Sequence, residues 1–165
     1  MKSNSWLNEV LENREARVEK QTTLRKKYNL PVLSLTINIP GEIKKTPEAL
    51  VVFEAALSCI EGLGINIAEK ILTCKKTGYE ALFCLHVQAS QLKKLTCKIE
   101  ESHPLGRLMD IDVIDEQGHI LSRKSPRKCF VCEENAKVCA RARKHSLSEL
   151  SSYIKQKIDD YQASL

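Results

Sequence analysis

Glycine and proline are scarce in this sequence, six and five among 165 residues. No glycines stand as G-x-G-x-x-G or G-x-x-x-x-G-K, so neither a dinucleotide fingerprint nor a P-loop is expected, and a phosphate ligand must be held by side chains. Aromatic residues make up only 5%, and Phe130 alone interleaves the arginines, which provides poorly for base stacking; nucleic acid is an unexpected partner. Long hydrophobic runs are also missing. The most apolar stretch, 49–57, already contains Glu54 and is far short of the twenty or so residues that cross a bilayer. The start, Met1-Lys2-Ser3-Asn4-Ser5, leads into a charged helical pattern without an apolar h-region, so the sequence predicts no secretory signal, no membrane association and a cytoplasmic address. Apolar residues at 42% and charged residues at 28% are close to the globular average, which disfavours disorder and fibrous repeats.

Charge is present in unequal portions. The net charge is +5, but residues 121–145 hold eight Lys or Arg against two Glu, so this one segment carries the whole excess. Just before it, residues 101–120 hold five carboxylates against Arg107 alone. An acidic strip beside a basic one suits a cation and polyphosphate site, carboxylates taking the metal and guanidinium groups the phosphates; a solvated surface is the alternative. Of seven cysteines, Cys59, Cys74, Cys84 and Cys97 are scattered through apolar segments and read as small buried hydrophobes. Cys129, Cys132 and Cys139 are clustered.

The periodicity of Leu7, Val10, Leu11, Val18, Leu24 and Tyr28 predicts a long amphipathic helix over 3–28, its stripe interrupted by Arg14 and Gln21 with Arg17 beside them. Pro31 ends it. A strand over 32–39 stops at Pro40-Gly41, and a helix runs from Thr46-Pro47 to about Leu63, with Thr46 as N-cap and Pro47 in the first turn. Strands over 65–75 and 79–87 are joined through Lys76-Thr77-Gly78. A helix over 90–101 is stopped by Pro104, a strand over 108–114 turns at Asp115-Glu116-Gln117-Gly118, and Ser146-Leu147-Ser148-Glu149 is a capping box opening a last helix. The expected class is α+β: a ferredoxin-like β-α-β-β-α-β core over 31–123, preceded by a helix over 1–28 and followed by a Cys/Arg-rich helical tail over 124–165, in one domain.

Two constellations carry chemistry. In Gly106-Arg107-Leu108-Met109-Asp110-Ile111-Asp112-Val113, strand alternation projects Asp110 and Asp112 from one face, about 7 Å apart at a rise near 3.3 Å per residue. That spacing suits Mg²⁺ bridging phosphate oxygens in phosphoryl or nucleotidyl transfer, whereas a solvent-facing D-x-D on an edge strand is the plain alternative. Cys129, Cys132, Cys139 and His145 form C-x2-C-x6-C-x5-H, four candidate donors for structural Zn²⁺; packing cysteines are the alternative. Arg141 and Arg143 flank this cluster and, with Arg123 and Arg127, are candidates for a guanidinium clamp. His86 and His119 stand alone and are expected in core or surface positions.

The run His103-Pro104-Leu105-Gly106-Arg107-Leu108-Met109-Asp110-Ile111-Asp112-Val113, then Ser122-Arg123, then the Arg127 to His145 block, resembles the citrate lyase holo-acyl-carrier-protein synthase family. Arg14-Glu15-x-Arg17 with Gln21, Ser34-Leu35-Thr36-x-Asn38-Ile39-Pro40-Gly41 and Thr77-Gly78-x-Glu80-Ala81 extend the resemblance over nearly the whole chain. Ala142, where serine is expected, departs from it at a minor contact. The resemblance implies a single transferase domain that moves a phosphoribosyl-dephospho-coenzyme A group from 2'-(5''-triphosphoribosyl)-3'-dephospho-coenzyme A to a serine of the acyl-carrier (gamma) subunit of citrate lyase, with pyrophosphate leaving. On that reading Asp110 and Asp112 hold Mg²⁺ and act with Arg107 in catalysis. Arg123, Arg141 and Arg143 bind the triphosphate, and Arg14, Arg17 and Gln21 contribute from the first helix. The competing reading is a non-catalytic zinc-containing module that binds RNA or an acidic protein. By looser analogy of fold alone, the element order and D-x-D are similar to hydroxymethyl-pterin pyrophosphokinase.

Overall fold

In the computed structural model, which describes residues 2–165 and side chains from residue 5 onward, helix α1 (Lys2–Tyr28) precedes a mixed α/β core. It ends on Asn29, whose left-handed backbone (φ 51°) closes the last turn by donating to the Arg25 carbonyl, and Pro31 prevents continuation. The core runs β1 (Val32–Ile37), α2 (Pro47–Glu61), β2 (Ile67–Lys75), β3 (Gly78–Leu85), α3 (Ala89–Ser102) and β4 (Met109–Ile114), with a single 3₁₀ turn at Gly106–Leu108 leading into β4. Helices α4 (Ala136–Ala142) and α5 (Leu147–Ala163) complete the chain. The expected caps are in place: Thr46 accepts from the Ala49 N–H, and Ser146 accepts from the Glu149 N–H. No described helix is long and apolar enough to cross a membrane.

The four strands form one antiparallel sheet in the order β2-β3-β1-β4. Its two faces differ. Leu33, Leu35, Ala81, Phe83, Met109, Ile111 and Val113 point to the face covered by α2, α3 and α5, where they meet Val52, Phe53, Ala56, Leu92, Ile99, Ile154 and Ile158 in the main core. On the opposite face α1 contributes Leu24 to a smaller cluster with Val32, Leu82 and Cys84.

Tyr28 packs against the same cluster, while N-terminal to Leu24 the helix meets the sheet through polar side chains. Asn13 is buried, whereas Leu7, Leu11 and Val18 of the anticipated apolar stripe are exposed. The stripe expected from periodicity is thus corrected: the sheet face beneath α1 carries Ser34 and Glu80, which select Gln21, Asn13 and Arg17 as partners instead of leucines. Cys74 is corrected as well. It is exposed on edge strand β2 near the hairpin end, while Cys84 is buried and Cys59 and Cys97 are partly so. The first strand stops at Ile37, where the Asn38 N–H leaves the ladder for the Leu108 carbonyl. α4, not anticipated as a separate element, is opened by Asn135, whose Oδ1 accepts from the Lys137 and Val138 N–H groups.

Strand β4 is an edge, and an open edge needs partners for its outward backbone groups. Side chains supply most of them. The Ile111 N–H donates to Glu100 Oε1 at 2.9 Å and Lys93 Nζ donates to the Ile111 carbonyl at 3.3 Å, both from α3. Arg127 Nη2 donates to the Met109 carbonyl at 2.7 Å, and the Leu121 N–H to the Val113 carbonyl at 2.8 Å. The strand is thereby held rigid along both sides.

Candidate functional site

Alternation along β4 leaves Asp110 and Asp112 exposed while Met109, Ile111 and Val113 are buried. The register puts Ser34 opposite Asp112 and Thr36 opposite Asp110, so hydroxyls of β1 lie beside both carboxylates on the face that carries α1. Gln21 Nε2 donates to Ser34 Oγ at 3.0 Å. One turn earlier Arg17 pairs with Glu80 on β3, and Asn13 Nδ2 donates to the same Oε1 at 2.7 Å. Arg14 lies exposed on another side of the helix. The carboxylate of Asp112 is pushed above the usual range by loss of solvent around it and by the charge of Asp110, which Lys93, Arg17 and Arg127 offset only in part.

At the start of β4 the guanidinium groups converge. Arg127 reaches Asp110 Oδ1 with Nη1 at 3.3 Å and the Arg107 carbonyl with Nη2 at 3.0 Å, in addition to the Met109 carbonyl. Arg107 Nη2 donates to the Cys129 carbonyl at 2.7 Å. Both arginines, together with Asn38, Phe130, Arg143 and Leu147, line a cavity of about 570 Å³. Gly106 is required by the close approach that sets this corner: an added Cβ would stand 2.4 Å from the Glu100 carbonyl oxygen.

The anticipated clamp is distributed. Arg107 and Arg143 share the cavity, Arg141 is exposed on α4, and Arg123 faces a different groove of about 490 Å³ with Lys93, Lys94, Lys98 and Lys124. Arg123 Nη2 is also engaged by Glu100 Oε2 at 3.1 Å and Glu101 Oε1 at 3.3 Å. Glu100 is the buried member of that trio, and burial pushes its carboxyl up despite the neighbouring cations. Glu80, Glu100 and Lys93 were not singled out as site residues from sequence; the available signal was a charged residue at a strand or helix position whose neighbours are apolar.

Folding brings the four soft donors together. The candidate ligand atoms of Cys129, Cys132, Cys139 and His145 all lie within 4.8 Å of one another. Cys129 and Cys132 come from a loop in which the Val131 N–H donates to Cys129 Sγ at 3.5 Å, Cys139 from α4, and His145 from the residue before the α5 cap. His145 Nε2 is 3.4 Å from Cys132 Sγ, and its other ring nitrogen is 3.2 Å from Glu149 Oε1. The histidine and the Glu134 N–H bring the Cys132 thiol down to about 7, whereas burial and the other two sulfurs push Cys139 up to about 12. Such a set suits a soft divalent cation, because one ion permits all three thiols to ionise together. His86 and His119 are exposed, the latter 3.1 Å from Asp115.

A mixed α/β scaffold with a carboxylate pair on an open strand face, guanidinium groups at its end and a Cys/His group behind them has the side-chain chemistry of a transferase acting on phosphorylated compounds. Residues 5–161 match the family model described as "Apo-citrate lyase phosphoribosyl-dephospho-CoA transferase". A Vibrio cholerae serotype O1 (strain M66-2) protein named "Probable apo-citrate lyase phosphoribosyl-dephospho-CoA transferase" is 40% identical over 164 residues, covering 94% of this chain and 92% of its own length. A Shigella boydii serotype 18 protein named "Apo-citrate lyase phosphoribosyl-dephospho-CoA transferase" is 34% identical over 163 residues, covering 94% of this chain and 89% of its own. The chain belongs to the apo-citrate lyase phosphoribosyl-dephospho-CoA transferase family.

Proposed function

We propose that this chain, acting as one cytoplasmic domain, transfers the phosphoribosyl-dephospho-coenzyme A group from its triphosphoribosyl precursor to a serine of the citrate lyase acyl-carrier (gamma) subunit. The relatives' names support the transferred group and apo-citrate lyase as its acceptor, and the observation that carries the chemistry is the exposed Asp110/Asp112 pair with Arg127 on Asp110 and Arg107 just before the strand. The serine oxygen attacks the phosphorus next to the ribose, a P–O bond to pyrophosphate breaks, and the serine proton passes to a carboxylate. Asp112, whose affinity for a proton is raised by loss of solvent and by the charge of Asp110, is the acceptor. Arg107 and Arg143 receive the departing phosphates from the cavity side, with Arg141 exposed nearby on α4, and Arg123, in the separate groove beside α3, would meet a more distant part of the donor. Gln21 orients Ser34 beside the carboxylates, and Arg17 holds Glu80 and adds positive potential; Arg14 extends that potential outward.

The two carboxylates of Asp110 and Asp112 on one strand face suit a hard cation, and a Mg²⁺ held there would supply charge stabilisation to the phosphate oxygens. The Cys/His group is read as a structural Zn²⁺ site, supported by the convergence of its four donors. The core is read as the ferredoxin-like split βαβ, supported by the strand order with β3 between β1 and β2. The test is pyrophosphate release and mass gain on the carrier when donor, apo-carrier and Mg²⁺ are mixed with the protein. Stoichiometric release supports the assignment. A folded protein that leaves the carrier unmodified under those conditions refutes it.

A further inference from the structure

We propose that a single zinc ion on Cys129, Cys132, Cys139 and His145 fixes the loop that holds the Arg107 guanidinium and aims Arg127 at Asp110 on β4. The inference rests on reading that group as a zinc site, and it adds a positioning role for the ion and for Arg127. In tetrahedral geometry with Zn–S near 2.3 Å, ligand atoms stand roughly 3.8 Å apart. The four donors already lie within 4.8 Å of one another, so about 1 Å of contraction at the widest pair completes the shell. Four protein ligands leave no open coordination position, which gives the ion a structural role. The Glu149 carboxylate on the outer nitrogen of His145 fixes the ring, as ligating histidines require.

The ligands come from three segments, the loop after Arg127, α4 and the start of α5, which are otherwise joined by a few backbone hydrogen bonds and the Lys144–Glu134 ion pair. An ion there fixes the Cys129 peptide, and that peptide's carbonyl receives Arg107 Nη2. Arg127 lies two residues before the first ligand. Its own carbonyl accepts from the Ala136 N–H at 2.8 Å at the start of α4, and the Cys129 N–H donates to the Glu134 carbonyl at 2.7 Å. Arg127 is thus attached to the ligand loop through its backbone, and Arg107 through its guanidinium. The Arg127 guanidinium reaches Asp110 Oδ1 and the Met109 carbonyl on β4, and the Arg107 carbonyl just before the strand. Without the ion the loop is left with backbone bonds and three mutually crowded thiols, so the Arg127 guanidinium loses its fixed origin and that of Arg107 its fixed partner.

Elemental analysis of protein purified under reducing conditions, joined to NMR of arginine side-chain ¹⁵N–H groups before and after chelation, tests this. Arg107→Lys and Arg127→Lys assign the two signals. One zinc per chain is expected, lost in the double variant Cys129→Ser/Cys132→Ser and retained in Asp110→Asn. On chelation of the wild-type protein both arginine signals should collapse to the exposed-arginine average, while amide exchange in β1 and β3 stays within about twofold. A chain that neither carries nor takes up zinc overturns the zinc reading and this inference with it. Zinc whose removal leaves both arginine signals in place overturns the positioning role alone. Loss of protection in β1 and β3 on chelation overturns it too, because the ion would then hold the whole fold. None of these readouts uses turnover, so the transferase assignment stands or falls separately on pyrophosphate release.

Discussion

Asp112→Asn separates the charge of the acidic pair from its shape. Asp110 and Asp112 are two residues apart on β4, about 7 Å along a strand. Two unit charges at that distance repel by about 0.6 kcal/mol in bulk-water dielectric and about 2.4 kcal/mol at an effective constant near 20. Both side chains are exposed, so screening sets the value near the lower end, about 1 kcal/mol. The raised Asp112 pKa fixes the sign. The folded chain keeps this proton to higher pH than the unfolded chain, so stability is lost as pH rises from the unfolded value, about 3.9, through the folded one. Removing the charge should therefore raise Tm at pH 7 by about 2 to 4 °C, and the gain should vanish as pH falls below the unfolded value. The same variant should lose roughly two orders of magnitude in kcat, the scale of one major electrostatic stabiliser. Thermal melts across pH and pyrophosphate release with Mg²⁺ measure the two effects. A variant that melts below wild type at pH 7 refutes the electrostatic argument, and a folded variant with wild-type turnover refutes the role of the pair.

Three further substitutions examine the surrounding structure. Arg143 caps α4 with a left-handed backbone (φ 47°), so Arg143→Gly preserves that conformation; losing one charge-assisted phosphate contact, about 1.5 to 3 kcal/mol, should lower kcat/KM for the donor roughly tenfold to a hundredfold. Unchanged donor kinetics would remove Arg143 from the binding site. Arg17→Met leaves the buried Glu80 with Asn13 as its remaining side-chain donor, and urea unfolding should show a loss of about 2 kcal/mol that Glu80→Gln partly restores in the double variant. An additive double variant would show that the pair is uncoupled. Gly106→Ala places a methyl 2.4 Å from the Glu100 carbonyl oxygen and 2.7 Å from that of Ile99, which should cost about 1 to 3 kcal/mol in denaturant unfolding; a stability equal to wild type would mean that the corner yields freely.

Local chemistry is what the sequence by itself determined. Thr46-Pro47 and Ser146 to Glu149 specify helix starts, because a cap needs only residues within one turn. Alternation in Met109 to Val113 determines that Asp110 and Asp112 share a face, since side chains on a strand repeat every second residue. The spacing of Cys129, Cys132, Cys139 and His145 nominated four donors, although only folding brings them within reach of one another. Tertiary structure decided what depends on partners distant in the chain. Polar groups on the outer sheet face turned Asn13, Arg17 and Gln21 inward and left Leu7, Leu11 and Val18 in solvent, which no periodicity within α1 could reveal. The edge position of β4 drew Glu100, Lys93 and Arg127 to its unpaired backbone, and the same strand order left Cys74 at an exposed rim. Arginines close in sequence were divided between two cavities, Arg123 in one and Arg107, Arg127 and Arg143 in the other. Short-range sterics and hydrogen bonding are written in neighbouring residues, whereas the choice of facing partner is made only when strands and helices far apart in the chain are packed together.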